Sequence, residues 1–279
     1  MKIFVVSGFS KGELGGNLAG VCLTGELVSR EKKQAIAQKL GYSETVFVSA
    51  SMVDDALFKL EYYTPNEEVS LCGHATIAAF CVMNKIGILK KESFKIETKA
   101  GVLDIVLEKE TVFMQQNLPA FYETLSSNVF AKCFEGYLTH DDYPIQIVST
   151  GLKDVMLPVI DKNTLDNLKP DFSEIIHLSK ELDCVGIHAF AISQGEIHVR
   201  NFAPLYEINE ESATGTSNCA LACYLYEHNI LKQNDYVMNQ GEGLGQPSQI
   251  KVNLETSEGM ITKVTVGGTG YVVKELWID

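Results

Sequence analysis

The sequence predicts two similar domains built from strands and helices. Three observations carry that prediction. Tyr63 to Phe80, YTPNEEVSLCGHATIAAF, reads as an apolar strand, a Cys-Gly-His turn and an alanine-rich helix. Glu211 to Leu225, ESATGTSNCALACYL, repeats the arrangement, and Gly215 lies 142 residues after Gly73. On that offset His74 falls on Thr216, Ala75 on Ser217, Ala78 on Ala220 and Cys81 on Cys223, with an acidic pair before each copy. Chance similarity between two helix starts is the competing explanation. The third observation is length: 279 residues suffice for two ordinary domains.

Composition narrows the class. Hydrophobic residues make up 46% and charged residues 21%, which fits a packed globular protein. The net charge is −13 and no basic run occurs, so nucleic acid and acidic membrane surfaces are not expected partners. The N-terminal apolar run is too short for a signal peptide, and no apolar stretch reaches the roughly 18 residues of a membrane span. Seven cysteines, an odd number, lie mostly in apolar segments. That pattern fits reduced thiols in a cytoplasmic protein. Cys219 and Cys223 share a helical face with no histidine pair nearby, so they read as core and no metal site is expected.

The first half opens with a strand, Lys2 to Val6, a glycine-rich loop to Asn17, and an apolar element, Leu18 to Leu23. The loop lacks a Gly-Lys-Ser/Thr ending, so it is not a P-loop. Ser29 to Leu40 reads as a helix capped by Ser29 and stopped by Gly41, with Lys32 and Lys33 facing solvent. Val46 to Val48 and Ala56 to Tyr63 are strand-like. Ser93 to Thr98 and Val102 to Leu107 form a hairpin, and Val112 to Asn117 continues the sheet. Pro119 breaks the alternation, placing a border near residue 120.

The second half, residues 121–266, begins with a predicted helix from Leu125 to Glu135. Ile145 to Ser149 and Asp154 to Ile160 are strands. Leu165 to Leu168 and Phe172 to Leu182 read as helical. Gly186 to Ser193 and Glu196 to Phe202 form a hairpin around Gln194-Gly195, whose His188 and His198 read as structural. Gln240 to Ser248 is a turn-rich loop whose glycines open no helix, so it is no dinucleotide fingerprint. Gln249 to Leu254 and Met260 to Val266 read as paired strands. Tyr271 to Ile278 returns to the first domain, which therefore comprises residues 1–120 and about 267–279.

The two helix starts carry the chemistry. The first amides of a helix lack intrahelical partners and bear the positive end of its dipole, so Gly73 and Gly215 each mark a place for a carboxylate. Two such ends facing one cleft would make a two-sided anion pocket. His74, at the first of them, has the pKa range for proton transfer. The plainer reading makes Gly73 a turn glycine and His74 a surface cap. Glu44 sits at a strand entrance beside apolar and aromatic residues. If buried, its pKa should rise above about 4.3, towards the range useful for moving protons. The plainer reading is an exposed turn glutamate.

Six blocks, in order, resemble the PhzF family of phenazine-biosynthesis-like isomerases: GGNLAGVCL (15–23), SETVFV (43–48), YYTPNEEVSLCGHATIAAF (62–80), VSTGLKDVMLPV (148–159), RNFAPLYEINEESATGTS (200–217) and QGEGLGQPSQIKV (240–252). The resemblance implies an α+β, diaminopimelate epimerase-like fold: two pseudo-symmetric domains, each a mostly antiparallel, barrel-like sheet around a central helix. It implies a cofactor-free isomerase acting on a small carboxylate-bearing substrate, and a homodimer. Glu44 matches the family's catalytic glutamate, and His74 matches the histidine of its Gly-His motif. Gly73, Ala75, Thr214, Gly215 and Thr216 fall at the substrate-holding helix starts. Glu211 replaces the family aspartate without a following proline, Thr216 replaces serine, and Gln246 replaces a commonly basic residue. Glu211 is therefore assigned with Glu44 and His74 to the catalytic set. Two other readings stand beside this one. A thiol-dependent epimerase would use Cys72, but Thr214 occupies the matching place in the second half. A non-catalytic binder would keep the pocket without turnover.

Overall fold

A computed structural model of the chain describes residues 1–25, 28–136 and 138–278. It separates into two compact units: Met1–Gln115 with the segment from Gly267 onward, and Gln116–Val266.

In the first unit β1 (Lys2–Gly8) pairs antiparallel with β2 (Asn17–Leu23) and with the chain's last strand, Gly270–Trp277. The sheet continues through β3 (Glu44–Ala50), parallel to β2, and β4 (Phe58–Tyr63), antiparallel to β3. The short β5 (Glu68–Val69) pairs with the end of β4. β6 (Ser93–Thr98) runs parallel to β4, and β7 (Gly101–Glu108) and β8 (Thr111–Gln116) follow as a meander.

Helix α1 (Arg30–Leu40) is bounded as its sequence predicts: Ser29 accepts a hydrogen bond from the Lys32 amide, and Gly41 closes it in the left-handed conformation. Lys33 departs from expectation. It is buried, pairs with Glu61 and lies 6.0 Å above the Phe47 ring. Its long apolar stem covers the core while its ammonium finds an acid, a use that a charge pattern alone does not reveal.

Helix α2 (Gly73–Lys85) packs against β1, β2, β3 and the last strand. Nine of its residues are buried, from His74 to Met83. A helix apolar on nearly every side belongs at a centre, and this one forms the unit's core.

The second unit begins with β9 (Ala120–Leu125), a single 3-10 turn (Ser127–Phe130) and β10 (Phe134–Glu135). No helix spans Leu125 to Glu135. Phe130, Cys133 and Phe134 do have helical spacing and are buried in one cluster, but a turn followed by a short strand buries them equally well. Ser126, Ser127 and Asn128, poor helix-interior residues, tip the balance. β11 (Ile145–Ser149) pairs with β9 and β12 (Lys153–Pro158). Helix α3 (Lys162–Asp166), capped by Asp161, ends before Leu168, so the expected helix lies a few residues early. β13 (Lys169–Pro170) pairs with β10, and α4 (Phe172–Glu181) is capped by Asp171.

β14 (Gly186–Ser193) and β15 (Glu196–Ala203) form the expected hairpin. Gln194 and Gly195 both have positive φ, 53° and 82°, which matches the sheet's right-handed twist. β16 (Ile208–Glu211) pairs with β15 and leads into α5 (Gly215–Glu227). α5 is buried from Ser217 to Tyr226 and packs against β11, β12 and the strand β18 (Ser248–Ser257), which follows β17 (Asp235–Gln240). β19 (Met260–Gly268) completes the unit.

The internal repeat extends beyond the helices. β3 and β14, α2 and α5, and β6 and β17 each begin 142 residues apart. The parallel pairs correspond too: β2 with β3 and β12 with β14, then β4 with β6 and β15 with β17. Among the described residues no helix is long and apolar enough to cross a membrane.

Candidate active site

In the first unit the site is built where β3 begins and α2 starts. Cys72 has extended backbone (φ −143°, ψ 117°) and makes no side-chain cap, so the first amides of α2 lack the partner that a Ser, Thr, Asp or Asn cap would supply. Gly8 in β1 lies directly under this turn. A Cβ there would sit 2.4 Å from the His74 carbonyl oxygen, so only glycine permits the approach.

His74 is 5% exposed, not a surface cap. Its Nε2 lies 3.2 Å from Glu44 Oε2 and 3.3 Å from Ser43 Oγ. Its Nδ1 lies 3.5 Å from Cys72 Sγ and 3.4 Å from the Asn17 amide. Glu44, the first residue of β3, is drawn inward, with its side chain 18% exposed. The close approach to His74 is an ion pair rather than an aligned hydrogen bond, because Glu44 Oε2 is buried with no hydrogen-bond partner.

Burial alone would raise the Glu44 carboxyl, as the sequence suggests. The charge on His74, and then the polar contacts of His74, Ser43 and Cys72 around the carboxyl, outweigh burial and hold it below the usual carboxylate range. The expected upward shift is therefore reversed. Burial likewise opposes charge on His74, but the Cys72 sulfur and the Glu44 carboxylate beside it hold the imidazole well above its ordinary value. Burial and then the Glu44 charge push the Cys72 thiol up. Glu44 is thus an ionised carboxylate, His74 its cationic neighbour and Cys72 a neutral thiol.

Ligating atoms of Glu44, Cys72 and His74 lie within 4.8 Å of one another. A tetrahedral zinc site needs ligand atoms about 3.3–3.8 Å apart around one point. Here the Cys72 thiol lies 3.5 Å from His74 Nδ1 and 3.9 Å from Nε2, and Nε2 also faces the Glu44 carboxylate.

In the second unit α5 starts at Gly215 after Thr214, again extended (φ −126°, ψ 109°) and again without a side-chain cap. The Thr214 hydroxyl is directed instead to Glu211 Oε2 at 2.7 Å. Successive residues of a strand point to opposite faces, and the acidic pair divides accordingly. Glu210 is taken by Arg200 through two hydrogen bonds of 2.9 and 2.7 Å, while Glu211 turns to the helix start. The Thr216 carbonyl accepts from Thr150 Oγ1 at 3.0 Å. Ala75 is buried and apolar, and its amide faces the Cys72 sulfur at the helix start.

Several contributors escape a sequence reading. Ser43 and Asn17 reach His74 only because β2 and β3 lie side by side. Asp154 is buried in β12, accepts from Ser217 Oγ at 2.7 Å through one oxygen, and leaves the other without a partner. Burial raises its carboxyl to about 7, against the Ser217 hydrogen bond. Its neighbours in sequence, Gly-Leu-Lys-Asp-Val, give no sign of this.

A family model described as phenazine biosynthesis-like protein, PhzC-PhzF, matches residues 6–275. The chain belongs to the PhzC-PhzF family. It is 32% identical over 98% of its length to the Escherichia coli K12 protein named uncharacterized isomerase YddE, covering 96% of that protein. It is 34% identical over 93% of its length to an uncharacterized isomerase of Deinococcus radiodurans, covering 89% of that one. The Bacillus anthracis PhzF-family structure aligns over 100% of this chain and 99% of its own, with TM-score 0.89 and 26% identity. A hydroxyproline epimerase from Agrobacterium vitis shares the fold at TM-score 0.67 and 11% identity, covering 100% of this chain and 90% of that one. The PhzF assignment and the α+β, diaminopimelate epimerase-like class thus agree with the sequence reading, and relatives spanning nearly the whole chain carry the name isomerase.

Proposed function

We propose that this PhzF-family isomerase moves a proton between carbons of a small carboxylate-bearing metabolite, with Glu44 as the acid/base group and no cofactor. The observation that carries the reading is Glu44 Oε2, buried 3.2 Å from His74 Nε2 and lacking a hydrogen-bond partner. That oxygen accepts the proton as the substrate's C–H bond breaks. The electron pair stays on the substrate, delocalised toward its carboxylate, and the new Glu44 O–H then delivers the proton to a second carbon. Because His74 keeps the Glu44 carboxyl acidic, return of the proton is favoured.

The amides at Gly73 and Ala75, and those at Gly215 and Thr216, bind the substrate's anionic groups and stabilise charge as it develops. Glu211, held by Thr214, contacts the substrate's polar groups. The one-carboxylate mechanism is favoured over a two-thiol epimerase because burial and Glu44 keep Cys72 protonated, and the corresponding residue of the second unit is Thr214.

Small carboxylic acids incubated with the protein in deuterium oxide and read by mass spectrometry test the reading. Wild type should label its product. Glu44→Gln should reduce labelling by about 10²- to 10⁴-fold. Full labelling by Glu44→Gln removes Glu44 from the mechanism, and a ligand that binds without exchange makes the protein a binder. The homodimer is a further proposal, taken from the family resemblance and tested by light scattering.

A further inference from the structure

Behind the Glu211 carboxylate lies a chain of buried polar side chains in the second unit. Asn201 Nδ2 lies 3.1 Å from His188 Nδ1, and His188 Nε2 lies 3.3 Å from Asn218 Oδ1. Asn218 Nδ2 donates to Gln240 Oε1 at 2.8 Å and to the Thr214 carbonyl at 2.7 Å. Gln240 Nε2 donates to Thr214 Oγ1 at 3.0 Å and to the Glu211 carbonyl at 2.8 Å. Thr214 Oγ1 then donates to Glu211 Oε2 at 2.7 Å.

The direction of each link is set by groups that have only one role. The Thr214 amide can only donate, and it meets Gln240 Oε1 at 3.1 Å. The Glu211 and Thr214 carbonyls can only accept, so the Gln240 and Asn218 amide nitrogens must face them. Asn218 therefore presents Oδ1 to His188, which must carry its proton on Nε2 and accept from Asn201 on Nδ1. Burial holds the His188 imidazole down at about 4, so it is neutral and has one N–H to give. Thr214 Oγ1 receives from Gln240, leaving its single proton for Glu211. Every donor in the chain points toward the carboxylate.

We propose that Asn201, His188, Asn218, Gln240 and Thr214 form a one-way hydrogen-bond relay that holds Glu211 as an acceptor-only carboxylate in one orientation, and that His188 is a positioning residue for it. A proton on Glu211 would make Oε2 a weaker, neutral acceptor for the Thr214 hydroxyl, so the relay favours the anion. The same offset shows what is specific to this half. Thr76 stands where Asn218 does and bonds the Cys72 carbonyl at 2.7 Å, as Asn218 bonds that of Thr214. Its other partner is the Tyr62 hydroxyl at 2.7 Å, so at this position the first unit has a pair of hydroxyls in place of the amides. The two halves use one scaffold for different tasks: a proton-transfer carboxylate in the first, a fixed anion in the second. Polarisation along such a chain strengthens each link and carries the effect of a distant deletion to its end.

The inference rests on Glu211 as a substrate-contacting group, but its test needs no substrate. Carboxyl carbon NMR of the full chain, labelled at glutamate, follows the Glu211 titration, assigned by its loss in Glu211→Gln. Thr214→Val should raise the midpoint by about one pH unit, because a hydrogen bond to the charged form is gone. Thr214→Ser should restore it. Gln240→Leu and His188→Leu should each raise it by less. Tyr236→Phe, which loses a hydrogen bond to the Leu231 carbonyl away from the relay, should alter stability and leave the midpoint unchanged. An unmoved midpoint in Thr214→Val overturns the relay. A response to Thr214→Val with none to Gln240→Leu or His188→Leu reduces it to a single contact and removes His188 from it. If the midpoints move as stated while deuterium labelling survives Glu211→Gln, the relay stands and the substrate role of Glu211 falls.

Discussion

The Glu44–His74 pair invites a direct measurement on the Glu44→Gln variant. At 3.2 Å and an effective dielectric of about 20, two unit charges attract by on the order of 5 kcal/mol. At about 1.36 kcal/mol per pH unit that is nearly four units, and water reaching the partly exposed Glu44 screens some of it. The His74 titration midpoint, followed by long-range proton–nitrogen NMR of the imidazole, should therefore fall by roughly two to four pH units in Glu44→Gln. Stability should follow with a definite sign. The raised His74 value contributes stability that is full below its unfolded value of about 6.5 and is lost as pH rises through the folded one. The lowered Glu44 value contributes stability present above its unfolded value of about 4.3 and lost as pH falls through the folded one. The variant's deficit in urea unfolding should thus be largest between about pH 4.5 and 6.5 and shrink above it. A His74 midpoint that does not move, or a deficit equal at about pH 5.5 and pH 8.5, would refute the pairing and with it the account of why Glu44 stays ionised.

Asp154 should reveal itself through pH as well. Its folded value near 7 means that wild type loses about 2 kcal/mol between about pH 5 and pH 7, since the unfolded chain has already released that proton. Asp154→Asn should gain on wild type across that window in urea unfolding, whereas a pH-independent difference would place the carboxyl in water. Gly8→Ala, driving a Cβ to 2.4 Å from the His74 carbonyl, should cost about 1–3 kcal/mol or more and slow turnover by displacing the α2 start. Lys33→Ala should cost about 1–3 kcal/mol by removing Glu61's close partner and leaving it Lys59 at 3.9 Å, and the double change Lys33→Met with Glu61→Leu should recover most of it in thermal unfolding. Cys72→Ala should retain most of the deuterium labelling, and its loss would bring the thiol back into the mechanism.

The family, the fold class and the two helix starts can be read from residue order alone. These are local or repeated signals: a turn glycine before an apolar run, read twice at one spacing, survives without knowledge of what packs on what. The same spacing explains why only one half carries Glu44. Its counterpart is Gly186, where a Cβ would meet the Phe202 carbonyl oxygen at 2.0 Å, so a side chain has no room. Tertiary structure decided the rest. The direction of the Glu44 shift depends on an imidazole 3.2 Å away that comes from another element, and burial alone suggests the opposite sign. Lys33 and His188 look like a surface charge and a plain core histidine until Glu61, Asn201 and Asn218 are set beside them. Periodicity records which face of an element is apolar. It does not record which polar group from a distant strand arrives to meet a buried charge, and that meeting sets both protonation and role.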